Sequence, residues 1–319
     1  MSGTKVVSES FVHTKLYYLL MLMQQLMGVT TNAVVFVLLY RMRREYQTLG
    51  FGLISVLSVS DFINALHRIP LTLFDMGAFN ESTLVLDVVD HMQWFCPLES
   101  FLSVFAPYTA ALAAMLLSLE RYCHVCLRKP LRWGAGWKFL GAGLFFFLIP
   151  SLGASIKISY MKQESGRVCF PPLEGWRIVR NHIYYVLLSI LLLALTFFYI
   201  SIYITTKCNI MRCSSGGIKP GSIVRRVALR VFVFLFFYLL CYVPMILAFL
   251  MKMNFPEVGL PALGDMTMMT NNLISSIDPI LILFLHRCYL HEFILLLNSN
   301  RVVRALVGPT AQNYFTTAG

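Results

Sequence analysis

Residues 97–126 read PLESFLSVFAPYTAALAAMLLSLERYCHVC. Between Glu99 and Glu120 there is no Asp, Glu, Lys or Arg, and the stretch closes on Glu120-Arg121-Tyr122. A hydrocarbon core of ~30 Å takes about 20 helical residues to cross. The stretch therefore reads as a transmembrane helix with its charges at the ends. Residues 16–40, 50–74, 138–159, 182–206, 224–251 and 262–285 read the same way. The expected fold is an all-α membrane protein, a seven-transmembrane helix bundle. Residues 1–15 precede the bundle, 16–285 form it, and 286–319 make an amphipathic eighth helix and a tail. In that short helix, residues 286–298, Phe293, Leu296 and Leu297 lie on lipid, with His286, Arg287, His291 and Glu292 toward water.

Composition points the same way. The chain of 319 residues is 58% hydrophobic and only 13% charged, with a mean hydropathy of +0.70. Soluble domains carry about a quarter charged residues. No internal repeat or low-complexity tract breaks the chain. A net charge of +11 raises the question of nucleic acid, but Lys and Arg sit in short gaps between apolar runs. That pattern is the positive-inside bias of membrane proteins, and no nucleic-acid partner is expected. The polar first ten residues and the long first apolar run do not form a signal peptide.

The odd gaps and the tail hold the cations: Arg41, Arg43 and Arg44; Arg128, Lys129, Arg132 and Lys138; Lys207, Arg212, Lys219, Arg225 and Arg226; Arg287, Arg301 and Arg304. The even gaps are richer in acids, among them Asp75, Glu81, Asp87, Asp90, Glu164, Glu174, Glu257 and Asp265. This predicts cytosolic odd gaps and an extracellular N-terminus, in the plasma membrane. Asn80-Glu81-Ser82 is a glycosylation sequon on the expected outer side.

Of the eight cysteines, Cys241 lies in the sixth segment, and Cys123, Cys126, Cys208, Cys213 and Cys288 fall on the reducing side. Cys96 and Cys169 remain outside, and one bridge between them is expected; the alternative is two free thiols. Cys123-His124-Val125-Cys126 has a metal-like spacing without a second pair, so no metal site is expected. Cys288, just past the seventh segment, is a candidate for palmitoylation; the alternative is an unmodified thiol.

Polar groups inside the spans need partners. Asn32, Asp61 and Asp278 are expected to turn inward. If the two aspartates meet, a proton or a cation must stand between them. A purely structural hydrogen-bonded cluster is the alternative. Cys96 and Arg121 lie ~37 Å apart along a helix, so they mark opposite mouths of the bundle. The adjacent Glu120 and Arg121 pair in a closed bundle, and an opened pair frees Arg121; the alternative is an ordinary interfacial pair. Pro150, Pro244 and Pro279 kink the fourth, sixth and seventh helices, as hinges or as static bends.

These residues resemble the rhodopsin-like (class A) G-protein-coupled receptors over nearly the whole chain. Thr31-Asn32-Ala33-Val34-Val35 is similar to the family's Gly-Asn-x-x-Val, and Leu57-Ser58-Val59-Ser60-Asp61 to Leu-x-x-x-Asp. Glu120-Arg121-Tyr122 resembles Asp/Glu-Arg-Tyr, with Cys96 at the family's spacing before it. Cys241-Tyr242-Val243-Pro244 resembles Cys-Trp-x-Pro, and Asp278-Pro279-Ile280-Leu281-Ile282 resembles Asn/Asp-Pro-x-x-Tyr. Tyr242 replaces the toggle tryptophan, and Ile282 replaces the seventh-helix tyrosine. Ala110 stands where the family's sodium site has a small polar group, and Leu140 or a neighbour where it has a tryptophan. The fifth helix has no proline, and no acid precedes Arg225 and Arg226.

The resemblance implies a receptor, not an enzyme. Glu120, Arg121 and Tyr122 would couple a heterotrimeric G protein. Asn32, Asp61, Tyr242, Pro244, Asp278 and Pro279 would form the activation switch. An extracellular small molecule or peptide would sit among Glu99, Ser103, Tyr108 and Tyr242, with Met245, Phe249, Met268 and Asn272 opposite. Asn272 in place of a lysine argues against retinal, and Ser103 in place of an aspartate against amines; no cofactor is expected. The short fifth gap and altered motifs lean toward a chemosensory ligand. Two other readings stand beside the receptor: a transporter that moves protons through Asp61 and Asp278, and a heptahelical scaffold that binds without signalling. No His-Glu-x-x-His, Gly-x-Ser-x-Gly or phosphate loop suggests catalysis.

Overall fold

A computed structural model of the chain describes residues 3–43, 48–76, 95–155, 176–212, 220–254, 261–285 and 293–295. Eight helices account for almost all of them: α1 (Gly3–Met42), α2 (Leu49–Leu66), α3 (Ile69–Asp75), α4 (Phe95–Val125), α5 (Trp133–Ser155), α6 (Trp176–Arg212), α7 (Pro220–Asn254) and α8 (Pro261–Leu285). The described residues contain no strand.

Among the described residues, four stretches are long and apolar enough to cross a membrane: Leu16–Met42, Leu49–Leu66, Phe101–Val125 and Val186–Asn209. Val231–Pro244 and Asn272–Leu283 are shorter apolar stretches among the described residues. Large apolar side chains face outward as well as into an apolar core, and polar groups are enclosed within it. Phe146 is 66% and Leu193 69% exposed on the outside, whereas Asn32, Asp61 and Asn272 are sealed within. An outer surface of large apolar side chains around a core that seals in polar groups suits lipid as the solvent. The chain is a multi-pass membrane protein.

Packing brings distant segments together. α1 lies on α2 and α8, α4 packs against α2, α5 and α6, and α7 sits between α6 and α8. Gly28 sets the closeness of the first contact. A Cβ there would stand 3.0 Å from Ala65 Cβ on α2 and 3.2 Å from Ser276 Oγ on α8. Small residues at such crossings let backbones approach within a membrane.

The second predicted span, residues 50–74, is not one helix. α2 ends at Leu66, His67 and Arg68 form a turn, and α3 starts at Ile69. Pro70 is the cause, since it has no N–H to give the Leu66 carbonyl and its ring crowds that turn. Regular bonding resumes at once, with Thr72 N donating to Arg68 O at 3.0 Å. At the other end, Thr48 caps α2 by accepting from Phe51 N at 3.3 Å. Pro107, Pro244 and Pro279 lie inside α4, α7 and α8 without ending them, and Pro150 lies within α5. Of the expected eighth amphipathic helix only residues 293–295 are described; they are helical, and Phe293 packs against the core.

Candidate functional site

The polar interior begins with a proline. Pro279 cannot donate to the carbonyl of Ser275, so that oxygen lacks its helical partner. Asn32 Nδ2 fills the gap from α1 at 2.9 Å, and also donates to Gly28 O at 2.8 Å. One helix turn away, Ser276 Oγ donates to Gln24 O at 2.6 Å. These bonds tie α1 to α8 across the small contact made by Gly28.

Asp61 on α2 and Asp278 on α8 meet beside this seam, their carboxyls in hydrogen-bonding contact and both buried. On the far side, the Tyr238 hydroxyl of α7 donates to Asp278 Oδ2 at 3.0 Å. Asn32 Oδ1, Ser58 Oγ, Asp61 Oδ2 and Asp278 Oδ1 are buried without a protein partner. Such a set of oxygens has the chemistry to take up a proton, a water or a small cation. Ala110 is buried on α4 and offers no side-chain oxygen. Asp61 and Asp278 thus both turn inward and meet, the case the sequence leaves conditional, joined by Tyr238, which the sequence does not single out.

Tyr238 belongs to a ladder. Phe234, Tyr238 and Tyr242 recur every four residues on α7, so they share one face. Phe234 and Tyr238 stack with centroids 4.4 Å apart, and Tyr238 and Tyr242 are tilted at 5.6 Å. Tyr199 of α6 closes the lower end, 4.6 Å from Phe234. Arg121 lies within electrostatic range of Tyr199. Tyr122 packs against Phe198, with ring centroids 5.2 Å apart. Glu120 turns toward α2: its Oε2 lies 3.7 Å from where a Cβ would stand on Gly50, in the first turn of that helix. The positive end of a helix favours a carboxylate there.

A second polar group lies on the Cys96 side of the seam. Arg68, in the turn between α2 and α3, is buried and donates through Nη1 to Asn272 Oδ1 at 3.2 Å. Gln25 Nε2 donates to Thr72 Oγ1 at 2.8 Å. His67 Nε2 faces Glu99 Oε1 at 3.9 Å, and Arg68 acts electrostatically on both. Glu99 and Asn272, both candidate ligand-binding residues, are thus drawn together around Arg68. Tyr108 stacks on Phe147 of α5, centroids 4.2 Å apart, and Tyr242 stands on the ladder. Ser103 is half-buried on α4 and Pro244 half-buried on α7.

The side chains of Met245, Phe249 and Met268 lie outside the described residues, as do Asn80, Cys169, Cys288 and the side chain of Cys96. Cys123, Cys126, Cys208 and Cys241 are free thiols. Arg68 and Gln25 were missed from sequence. The signal was present for Arg68: a cation inside a predicted span, two residues before a proline, calls for an internal partner.

No protein-family model matches this chain, and no curated protein matches it.

Proposed function

We propose that this protein is a seven-helix G-protein-coupled receptor of the plasma membrane, with its N-terminus outside. α2 and α3 together make the second span in this reading. The observation that supports it most is the seam that Asn32, Asp61 and Asp278 make with Tyr238, joined through the α7 ladder to the neighbourhood of Arg121. It offers a linkage between an outer ligand site around Glu99 and Asn272 and the Glu120-Arg121-Tyr122 end. A ligand that favours one setting of α7 against α8 shifts the population toward it. The Tyr238–Asp278 bond is the contact that differs between the settings. Arg121, beside Tyr199, then becomes available to a G protein.

The test is guanine-nucleotide exchange on purified G proteins, with the full chain in lipid nanodiscs and panels of small apolar, lipid-like and peptide ligands. Exchange should rise with ligand, and Arg121→Ala should abolish the rise while ligand binding persists. Equal exchange by that variant defeats the proposal.

The Asp61–Asp278 contact favours one other reading, a transporter that moves protons on this carboxyl pair. Ligand-dependent proton flux into liposomes lacking G protein would select it. Ligand binding with neither flux nor exchange would select a non-signalling scaffold.

A further inference from the structure

Where Pro70 breaks the second span, the outer face of the bundle is left with a groove. It encloses about 350 Å³ between the α2–α3 turn and the start of α4. Its walls are Leu66, Ile69, Pro70, Leu98 and Leu102, and its polar lining is His67 and Glu99. Leu66 and Leu98 are 47% and 43% exposed, so the groove is open at its apolar wall and is not sealed inside the bundle. The volume is at the small end of ligand sites, which run from about 300 to 1,000 Å³. It suits one chain and its head better than a bulky ring system.

The polar lining is specific. His67 Nδ1 lies 2.8 Å from Ile63 O. A carbonyl only accepts, so Nδ1 carries the hydrogen and Nε2 is left as an acceptor. His67 and Glu99 are each 7% exposed at the side chain, and Nε2 has no hydrogen-bond partner. Glu99 Oε1 is a second acceptor 3.9 Å from it, too far for a direct bond. Two acceptors at that separation are both satisfied by two hydroxyls on neighbouring carbons, one donating to each. Arg68 acts electrostatically on Glu99, and a neutral head adds no further charge to this lining. A cationic or anionic head would leave a net charge beside lipid, which is costly.

We propose that this groove binds a neutral single-chain membrane lipid with two neighbouring hydroxyls, of the monoacylglycerol class, entering from the bilayer. One hydroxyl donates to His67 Nε2 and the other to Glu99 Oε1, and the acyl chain lies along Leu66, Ile69 and Leu102. The groove shares Glu99 with the ligand site proposed above, but its occupancy is read without a G protein, so the two readings fail separately.

The test uses the full chain in phosphatidylcholine nanodiscs and a monoacylglycerol with a diazirine in its acyl chain. Its dimethyl ether, which keeps the chain and loses both donors, is the control probe. Cross-linked residues are located by mass spectrometry. The expected result is saturable labelling of α2–α3 and the start of α4, displaced by unlabelled monoacylglycerol but not by the dimethyl ether. His67→Phe should lower labelling about tenfold, the effect of ~1.4 kcal/mol. His67→Gln, whose Oε1 can replace Nε2 as the acceptor, should keep most of it. Leu102→Trp, which fills the groove, should block it. If His67→Phe does not fold, the two probes on the unaltered protein still decide. Equal labelling by the ether, labelling confined to other helices, or undiminished labelling of a folded His67→Phe protein overturns the proposal.

Discussion

Asn32 answers Pro279 across the bundle: its side-chain amide donates, at 2.9 Å, to the Ser275 carbonyl that the proline leaves without a backbone donor. The bond makes a requirement of one residue depend on the presence of another. Asn32→Ala should destabilise the protein by about 0.6–2 kcal/mol, the span of values for interhelical hydrogen bonds in membranes. Pro279→Ala restores an N–H that can serve the same carbonyl. In that background the Asn32 substitution should cost measurably less, a non-additivity of about 0.5 kcal/mol or more. Thermal unfolding of the four purified proteins in detergent measures the cycle. Strict additivity would show that the two residues do not share the carbonyl.

Tyr238 holds α7 to α8 through one hydroxyl, while its ring holds the ladder. Tyr238→Phe removes the first role and keeps the second. The expected stability loss is about 0.5–1.5 kcal/mol, that of a single hydrogen bond. If the protein is a receptor, the same change should raise ligand-free nucleotide exchange severalfold, because α7 loses its bond to Asp278. Tyr238→Leu, which breaks the stacking as well, should lose stability further and serves as the comparison.

Much of this seam was legible beforehand, for a physical reason. Asn32, Asp61, Asp278 and Pro279 are anomalies against an apolar background, and each anomaly demands a partner. The apolar runs likewise placed the helices, since crossing a bilayer takes a minimum length. What stayed hidden depends on tertiary choices. Residues 50–74 pass as a single apolar run although Pro70 is a local signal for a break; the tertiary part is where the turn's side chains go, Arg68 to Asn272 and His67 facing Glu99. Tyr238 looks like any aromatic on an apolar helix until Asp278 stands beside it. Glu120 has Arg121 as its neighbour in the chain, yet lies against the first turn of α2, a contact set by how α2 and α4 cross.

Glycines in this fold divide by what surrounds them. Gly28 is hemmed in by Ala65 and Ser276, whereas nothing lies within 4 Å of a Cβ built on Gly141 in α5. Gly28→Ala should force α1 away from α2 and α8 and cost about 1–3 kcal/mol, as overpacking does. It should also weaken the Asn32–Ser275 bond one turn further on. Gly141→Ala should be neutral or stabilising by about 0.5–1 kcal/mol, from lost unfolded-chain freedom. Unfolding midpoints of the two variants should therefore move in opposite directions.

Arg68 gives the sharpest test of the group on the Cys96 side of the seam. It is buried where α2 turns into α3, and its bond to Asn272 Oδ1 joins that turn to α8. Hydrogen bonds to charged groups are worth about 1.5–3 kcal/mol, and removing one partner leaves the other desolvated. Arg68→Met keeps the bulk of the side chain and removes the charge, and it should lower stability by about that amount. Asn272→Ala should cost less on its own, since the cation can still act on Glu99. The pair should be coupled by about 0.5–3 kcal/mol, so that the double variant is more stable than the sum of the singles implies. Glu99→Gln tests a separate coupling: Arg68 acts electrostatically on Glu99, so part of the Arg68→Met loss should disappear when position 99 already carries the neutral amide. If Arg68→Met is harmless both alone and with Asn272→Ala, the buried cation does not organise this end of the bundle.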